Sequence, residues 1–224
     1  MEKLLLLMVV FAVCHAETKD MSGKVFVFPK EAITDYVKLL TEKSKFDAVT
    51  TCLRFQTDLD RNYSIFSLAT QSRSNDYLIF KTNKDGIMMH VRNPNTVFQS
   101  MPLTPNVWHS LCSTWRSDDG TAQLWLDNQT SIIRYIAKGP IDGKPSTILG
   151  QEQDSYGGGF DVTQSFVGVI TAVHMWDRII ASEEIKYYMM HRYFSPGNVY
   201  NWGSLDYEIV GDVRVAREHD VKWM

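Results

Sequence analysis

Residues 148–168 read ILGQEQDSYGGGFDVTQSFVG, an aliphatic run followed by acids and amides and then by three consecutive glycines. Glu152, Asp154 and Asp161 fall within this stretch. Carboxylates brought close together repel unless a positive charge sits among them, and a glycine-rich segment loses much entropy on ordering. If the acids lie on extended chain, Glu152 and Asp154 project to one side while Gln153 turns away and leaves its backbone carbonyl as a donor. The glycines would then form a reach-over loop that returns Asp161 and Gln164 to the same place. Hard oxygen donors of this kind suit calcium, which accepts six to eight oxygens in flexible geometry, and three carboxylates could serve two ions. Magnesium demands a stricter octahedron, and zinc would call for His or Cys that the stretch lacks. Spacing alone leaves a second reading open, a solvated hairpin loop with scattered acids.

The elements that would carry such a site are short. From Lys24 to Ile180 the chain runs through KVFVFP, AVTTCLRFQT, YSIFSLAT, DYLIFKT, GIMMHV, HSLCSTWRS, AQLWLD and FVGVITAVHMW, each bounded by Gly, Pro, Asn, Asp or Ser. Many short strands without intervening helices predict an all-β, two-sheet antiparallel sandwich or jelly roll of lectin-like kind. One segment departs from this pattern, ASEEIKYYMMHRYFSPG. Ser182 can cap it, Glu183 and Glu184 sit in the first turn, and Pro196–Gly197 stops the run, so a helix over roughly 182–193 is expected on one face of the sandwich. Trp108, Trp115, Trp125 and Trp176 read as core, and the scattered histidines as packing or surface residues.

The chain has 224 residues, 44% of them hydrophobic, and a formal net charge of −3. No basic stripe points to nucleic acid. Residues 1–16, MEKLLLLMVVFAVCHA, place a lysine before an apolar run and a small residue at the end, the pattern of a secretory signal peptide. No later stretch approaches the length of a membrane helix. Residues 17–224 therefore read as one exported domain. In an oxidising compartment the remaining pair, Cys52 and Cys112, is expected to form one disulfide. The sequons NYS at Asn62 and NQT at Asn128 are glycosylation candidates on surface loops.

Two rival functions share this architecture. Jelly-roll glycosidases place carboxylates at i, i+2 and i+4 of a strand. Glu152 and Asp154 fit, but the third place falls on Tyr156, which cannot act as the acid. GxSxG is absent, and no His spacing suggests a hydrolase. The expectation is a protein that is not an enzyme. The other rival is a laminin-G-like adhesion module.

The blocks FVFPKE, YSIFSLAT, CSTWRS at 112–117, ILGQEQDSYGGGF, VHMWD and FSP with the later NW closely resemble the short pentraxin family, the group of C-reactive protein and serum amyloid P component. The likeness runs from about Lys19 to about Val213. The family's His-x-Cys signature is displaced, since His109 stands three before Cys112 and Ser110 takes the usual place; this reads as a local insertion. The resemblance implies a pentraxin domain over 17–224, a flattened jelly roll with two calcium ions per protomer on one face. Glu152, the Gln153 carbonyl, Asp154, Asp161 and Gln164 match ligand positions, with Asp161 replacing a longer Glu. Asn75 matches a further ligand, but Ser74 stands where an Asp is expected. The first ion's shell is thus weakened unless Asp76 swings in or Ser74 admits a water.

The resemblance further implies that the ions capture phosphate-bearing or saccharide ligands on microbial or damaged-cell surfaces. Phe80 matches the apolar wall of a choline pocket, where its ring would attract a quaternary ammonium by about 0.5–2 kcal/mol. Asn95 aligns with the acid that normally meets the choline charge, so phosphocholine loses its advantage over phosphoethanolamine or saccharides. The implied protein is a secreted, acute-phase, innate-immunity glycoprotein. It would assemble as a homopentamer, with face-to-face decamers a second form, and would bind complement components through the opposite face.

Overall fold

The computed structural model describes residues 18–82 and 86–221. The expected signal peptide at 1–16 lies outside the described residues. The chain folds as two antiparallel sheets facing one another, as the alternating pattern predicts. The first runs from edge to edge as Gln129–Thr130 (β11), Thr121–Leu126 (β10), His109–Arg116 (β9), Ala48–Gln56 (β4), Gly168–Trp176 (β15), Lys24–Phe28 (β1) and Arg214–Arg217 (β17), with Arg134–Tyr135 (β12) also paired to β10. The second runs as Tyr207–Val210 (β16), Tyr36–Leu39 (β2), Ser146–Leu149 (β14), Tyr63–Thr70 (β5), Arg73–Lys81 (β6), Gly86–Val91 (β7) and Asn95–Gln99 (β8). A two-stranded ribbon joins Lys45–Phe46 (β3) to Ile141–Asp142 (β13).

Period-two alternation sorts the side chains of each strand. Phe66, Leu68, Tyr77, Ile79, Met89 and Val91 point into the core between the sheets, against Phe26, Leu53, Leu111 and Trp115 of the first sheet. Their neighbours Leu78, Phe80, Met88 and His90 therefore face outward on the second sheet. Tyr77 carries its hydroxyl into that core and meets the Ser113 hydroxyl at 2.6 Å, so no polar atom of the pair is left unbonded.

A smaller apolar cluster covers the outer face of the first sheet. Cys52 of β4 and Cys112 of β9 are direct cross-strand partners with Cα atoms 4.1 Å apart, and they form the expected disulfide. Over them pack Trp125, Trp176, Ile180 and the inward face of one helix, Ser182–Met189 (α1), through Ile185 and Tyr188. The Tyr188 hydroxyl donates to the carbonyl of Ala172 at 2.8 Å. The helix is shorter than its apolar pattern suggests, because His191 adopts a left-handed backbone with φ of 54°. Its N-cap is Ala181 rather than Ser182, and no side chain caps it. Of the four tryptophans expected in the core, Trp115, Trp125 and Trp176 are buried, while Trp108 is half-buried beneath the Arg54 guanidinium.

The β4–β9 ladder is unbroken from Phe55 opposite His109 to Ala48 opposite Arg116. An inserted residue would leave a bulge. The displaced histidine is thus a substitution, not the expected local insertion. His109 is buried in its own right, its Nδ1 3.0 Å from Asp127 and its Nε2 3.0 Å from the Thr104 carbonyl.

Candidate functional site

On the outer face of the second sheet, a cavity of about 210 Å³ is lined by Asn75, Leu78, Phe80, Met88, His90, Glu152, Asp154 and Gln164. One wall is apolar and follows from strand register. Leu78 pairs with His90 and Phe80 pairs with Met88 across β6 and β7, so these four side chains share one face. The other wall is formed by oxygen-bearing side chains from three separate segments.

Asn75 comes from an irregularity in β6. Between its pairs with β5, Tyr77 opposite Leu68 and Arg73 opposite Thr70, three residues of β6, Ser74, Asn75 and Asp76, stand against the single Ala69. The turn beyond β7 closes back on the same place. Asn93, with φ of 80°, donates its N–H to the Asn75 carbonyl at 2.8 Å and accepts the Asn75 N–H on its side chain at 3.3 Å. Asp76 does not swing toward the cavity. Its side chain is fully buried, accepts a 2.6 Å hydrogen bond from the Thr70 hydroxyl and lies 3.8 Å from Arg73. Burial raises its pKa, while the Thr70 hydrogen bond and the Arg73 charge lower it and hold the carboxylate inward.

Glu152 and Asp154 come from the segment after β14, which leaves the sheet at Gly150. With φ of 96° and the Phe28 ring where a Cβ would stand, at 2.3 Å, this position excludes every side chain. Residues 150–154 form no strand, yet the expected alternation holds: Glu152 and Asp154 line the cavity and Gln153 turns inward. The loop that follows is not held by glycines alone. Gln153 is fully buried; its amide nitrogen donates to the Ser67 and Ser146 carbonyls at 3.1 and 3.0 Å, and its oxygen accepts the Gly157 N–H at 3.0 Å. Ser155 and Gly158 close the tip with two mutual backbone bonds of 3.1 Å. The Tyr36 and Phe160 rings meet at 5.1 Å.

Gln164 ends a short 3-10 turn, Val162–Gln164. Asp161 caps that turn, accepting the Thr163 N–H and hydroxyl at 2.9 Å each, which lowers its pKa. Arg61 holds the turn from below through the Thr163 and Ser165 carbonyls at 3.2 and 2.7 Å, and Glu31 at 3.0 Å fixes the guanidinium. Asp161 is exposed and does not line the cavity.

The electrostatics of this arrangement are unfavourable for the protein alone. Glu152 is buried, and burial, with the charges of Asp154 and Asp161 as further causes, pushes its pKa up to about 7 against a hydrogen bond from Asn75 that lowers it. Asn75 Oδ1 and Gln164 Oε1 are buried with no hydrogen-bond partner. Among the described residues no three His, Cys, Asp or Glu side chains form a metal-holding group by themselves. Any cation here would need the amide oxygens as well as the acids.

Of the remaining expected residues, Phe80 lines the cavity, whereas Asn95 is exposed on β8 directly opposite His90. His90, read from sequence as a packing or surface residue, belongs to the site. The register of GIMMHV against DYLIFKT would have revealed it. Asn128 is exposed in the turn between β10 and β11, while Asn62 is half-buried with its amide oxygen enclosed.

A family model described as the Pentaxin family matches residues 24–217. The chain is 45% identical over 197 residues to C-reactive protein of Rattus norvegicus, covering 87% of this chain and 85% of that protein. It is 40% identical over 219 residues to serum amyloid P-component of the same species, covering 95% of each. The fold superposes on a heptameric SAP-like pentraxin from Limulus polyphemus with a TM-score of 0.81 and 20% identity, covering 89% of this chain and 97% of that one.

Proposed function

The chain belongs to the pentraxin family, secreted recognition proteins of innate immunity that are not enzymes, and from this premise we propose that its cavity is a calcium-dependent site for phosphate-bearing or saccharide ligands. The observation that carries the reading is the pair of orphaned oxygens. Asn75 Oδ1 and Gln164 Oε1 are buried and unbonded, and both residues line the same cavity as Glu152 and Asp154. Unpaired buried acceptors are costly, and a hard cation satisfies all of them at once.

The residues present fit calcium. Asn75, Glu152, Asp154 and Gln164 would supply side-chain oxygens, Gln153 its carbonyl, and Asp161 a carboxylate from the rim, sufficient for two ions with the acids shared. Ser74, with Asp76 held inward, leaves the ion nearest Asn75 short of one carboxylate and the weaker of the two. When bound, the cations supply positive charge to a ligand phosphate or to sugar oxygens. Phe80, Leu78 and Met88 exclude water from the ligand's apolar part, and Asn95 offers no charge to a choline group.

Single-site binding of this kind is modest, and a ring of protomers raises it by avidity. Ile132, Ile133 and Tyr135 stand 68%, 63% and 63% exposed along the β11–β12 edge, an apolar strip suited to a neighbouring copy. The Limulus relative is heptameric, so the five-membered ring proposed for this chain is a count to be measured by mass photometry. Helix α1 and the site occupy opposite faces, which leaves the helix face free for complement components while ligand is held. Retention on immobilised phosphoethanolamine in calcium, with elution by chelator, tests the function. Retention that ignores chelator would refute it.

A further inference from the structure

This inference rests on the calcium-site reading and concerns what the cavity selects beyond a phosphate. His90 lines it on the β6–β7 wall, opposite Leu78 and beside Phe80 and Met88. Its Nδ1 lies 2.9 Å from the backbone carbonyl oxygen of Asn93. A carbonyl can only accept, so the ring proton sits on Nδ1, and Nε2 of the neutral imidazole carries the lone pair. Burial lowers the His90 pKa, partly offset by that hydrogen bond, which keeps the ring neutral at physiological pH. No hydrogen bond engages Nε2 among the described residues. The charged groups lining the cavity are Glu152 and Asp154, on its oxygen-bearing side. Asn95, the cross-strand partner of His90, is uncharged and exposed.

We propose that His90 sets the headgroup specificity of the site, with Nε2 accepting an N–H from a primary ammonium group at the far end of a phosphate ligand. Phe80 attracts any cation through its ring face and does not distinguish primary from quaternary ammonium. Nε2 does distinguish them. A quaternary ammonium has no N–H, and packing its methyl groups against Nε2 strips that lone pair of water without replacing the bond. The cavity, about 210 Å³, admits a group of phosphoethanolamine size, so the two ends of one small ligand can reach the cations and the ring together.

Calorimetric titration of the full protein in calcium with O-phosphoethanolamine and with phosphocholine tests this. The wild type is expected to bind phosphoethanolamine about tenfold more tightly, the effect of one hydrogen bond to a charged group. His90→Leu should bring the ratio of the two affinities to about one, and His90→Gln, whose amide oxygen can accept, should restore most of the preference. An unchanged ratio in His90→Leu, or a wild type that favours phosphocholine, overturns the proposal while leaving the calcium site standing. Absence of any calcium-dependent binding of either ligand overturns both, and calcium uptake measured on the same proteins tells the two failures apart.

Discussion

Replacing Glu152 by Gln removes a charge from the cavity while keeping the shape and an oxygen for Asn75. In the calcium-free protein the rise of the Glu152 pKa from 4.5 to about 7 means that its ionised form disfavours folding by on the order of 3 kcal/mol. The pH dependence has a definite sign. Below pH 4.5 Glu152 is protonated in both folded and unfolded chains and carries no penalty. As pH rises the unfolded chain ionises first, so stability falls through the interval between 4.5 and 7 and levels off above it. Glu152→Gln has no such loss, and should raise the calcium-free Tm at pH 8 by about 6–12 °C, at 2–4 °C per kcal/mol for a domain of this size. At pH 4 the two proteins should melt together. Added calcium should reverse the order at pH 8, because only the wild type retains the full carboxylate set. Thermal denaturation by circular dichroism at both pH values, with chelator and with calcium, measures all four quantities. A variant no more stable than wild type at pH 8 in chelator would mean that ionised Glu152 carries no such penalty.

Other expectations follow from the same geometry. Gln153→Ala cuts the bonds tying the loop to β5 and β14 and should cost about 2–4 kcal/mol, with faster chymotryptic cleavage at Tyr156 and Phe160 even in calcium. In the wild type, chelator should accelerate cleavage within 160–164 more than at the glycines, since Gln153 pins the tip whether or not a cation is present; uniform acceleration across 154–164 would contradict this. Joint replacement of Cys52 and Cys112 by Ser opens a link spanning 60 residues in sequence and should lower stability in urea by about 3–5 kcal/mol. Gly150→Ala places a methyl group into the Phe28 ring, and the yield of folded protein should fall sharply.

The parts of this structure legible in the sequence are those set by neighbours along the chain. Alternation in YLIF and GIMMHV marks β6 and β7, and the acid–amide run marks the candidate ligands. Asn75 and Gln164, as candidate ligands, came through the family likeness, and the structure gathers them with Glu152 and Asp154 at one cavity. What escaped depends on contacts between distant segments. Gln153 holds its loop through Ser67 and Ser146, which no spacing rule connects to it. His90 enters the cavity only once β7 is registered against β6. Asp76 is drawn inward by Thr70 and Arg73, so nearness to Asn75 in sequence does not bring it into the cavity. The helix stopped early because the backbone at His191 turned left-handed, a feature that an apolar periodicity does not encode.

If the proposed site is right, a divalent cation relieves the crowding of Glu152 and Asp154 and satisfies the stranded oxygens of Asn75 and Gln164. Calorimetric titration of the purified protein with Ca²⁺ at pH 7.5 measures this relief. Saturable heat at about two ions per chain, with one ion held more weakly, is the predicted result; no saturable heat up to millimolar Ca²⁺ would contradict it.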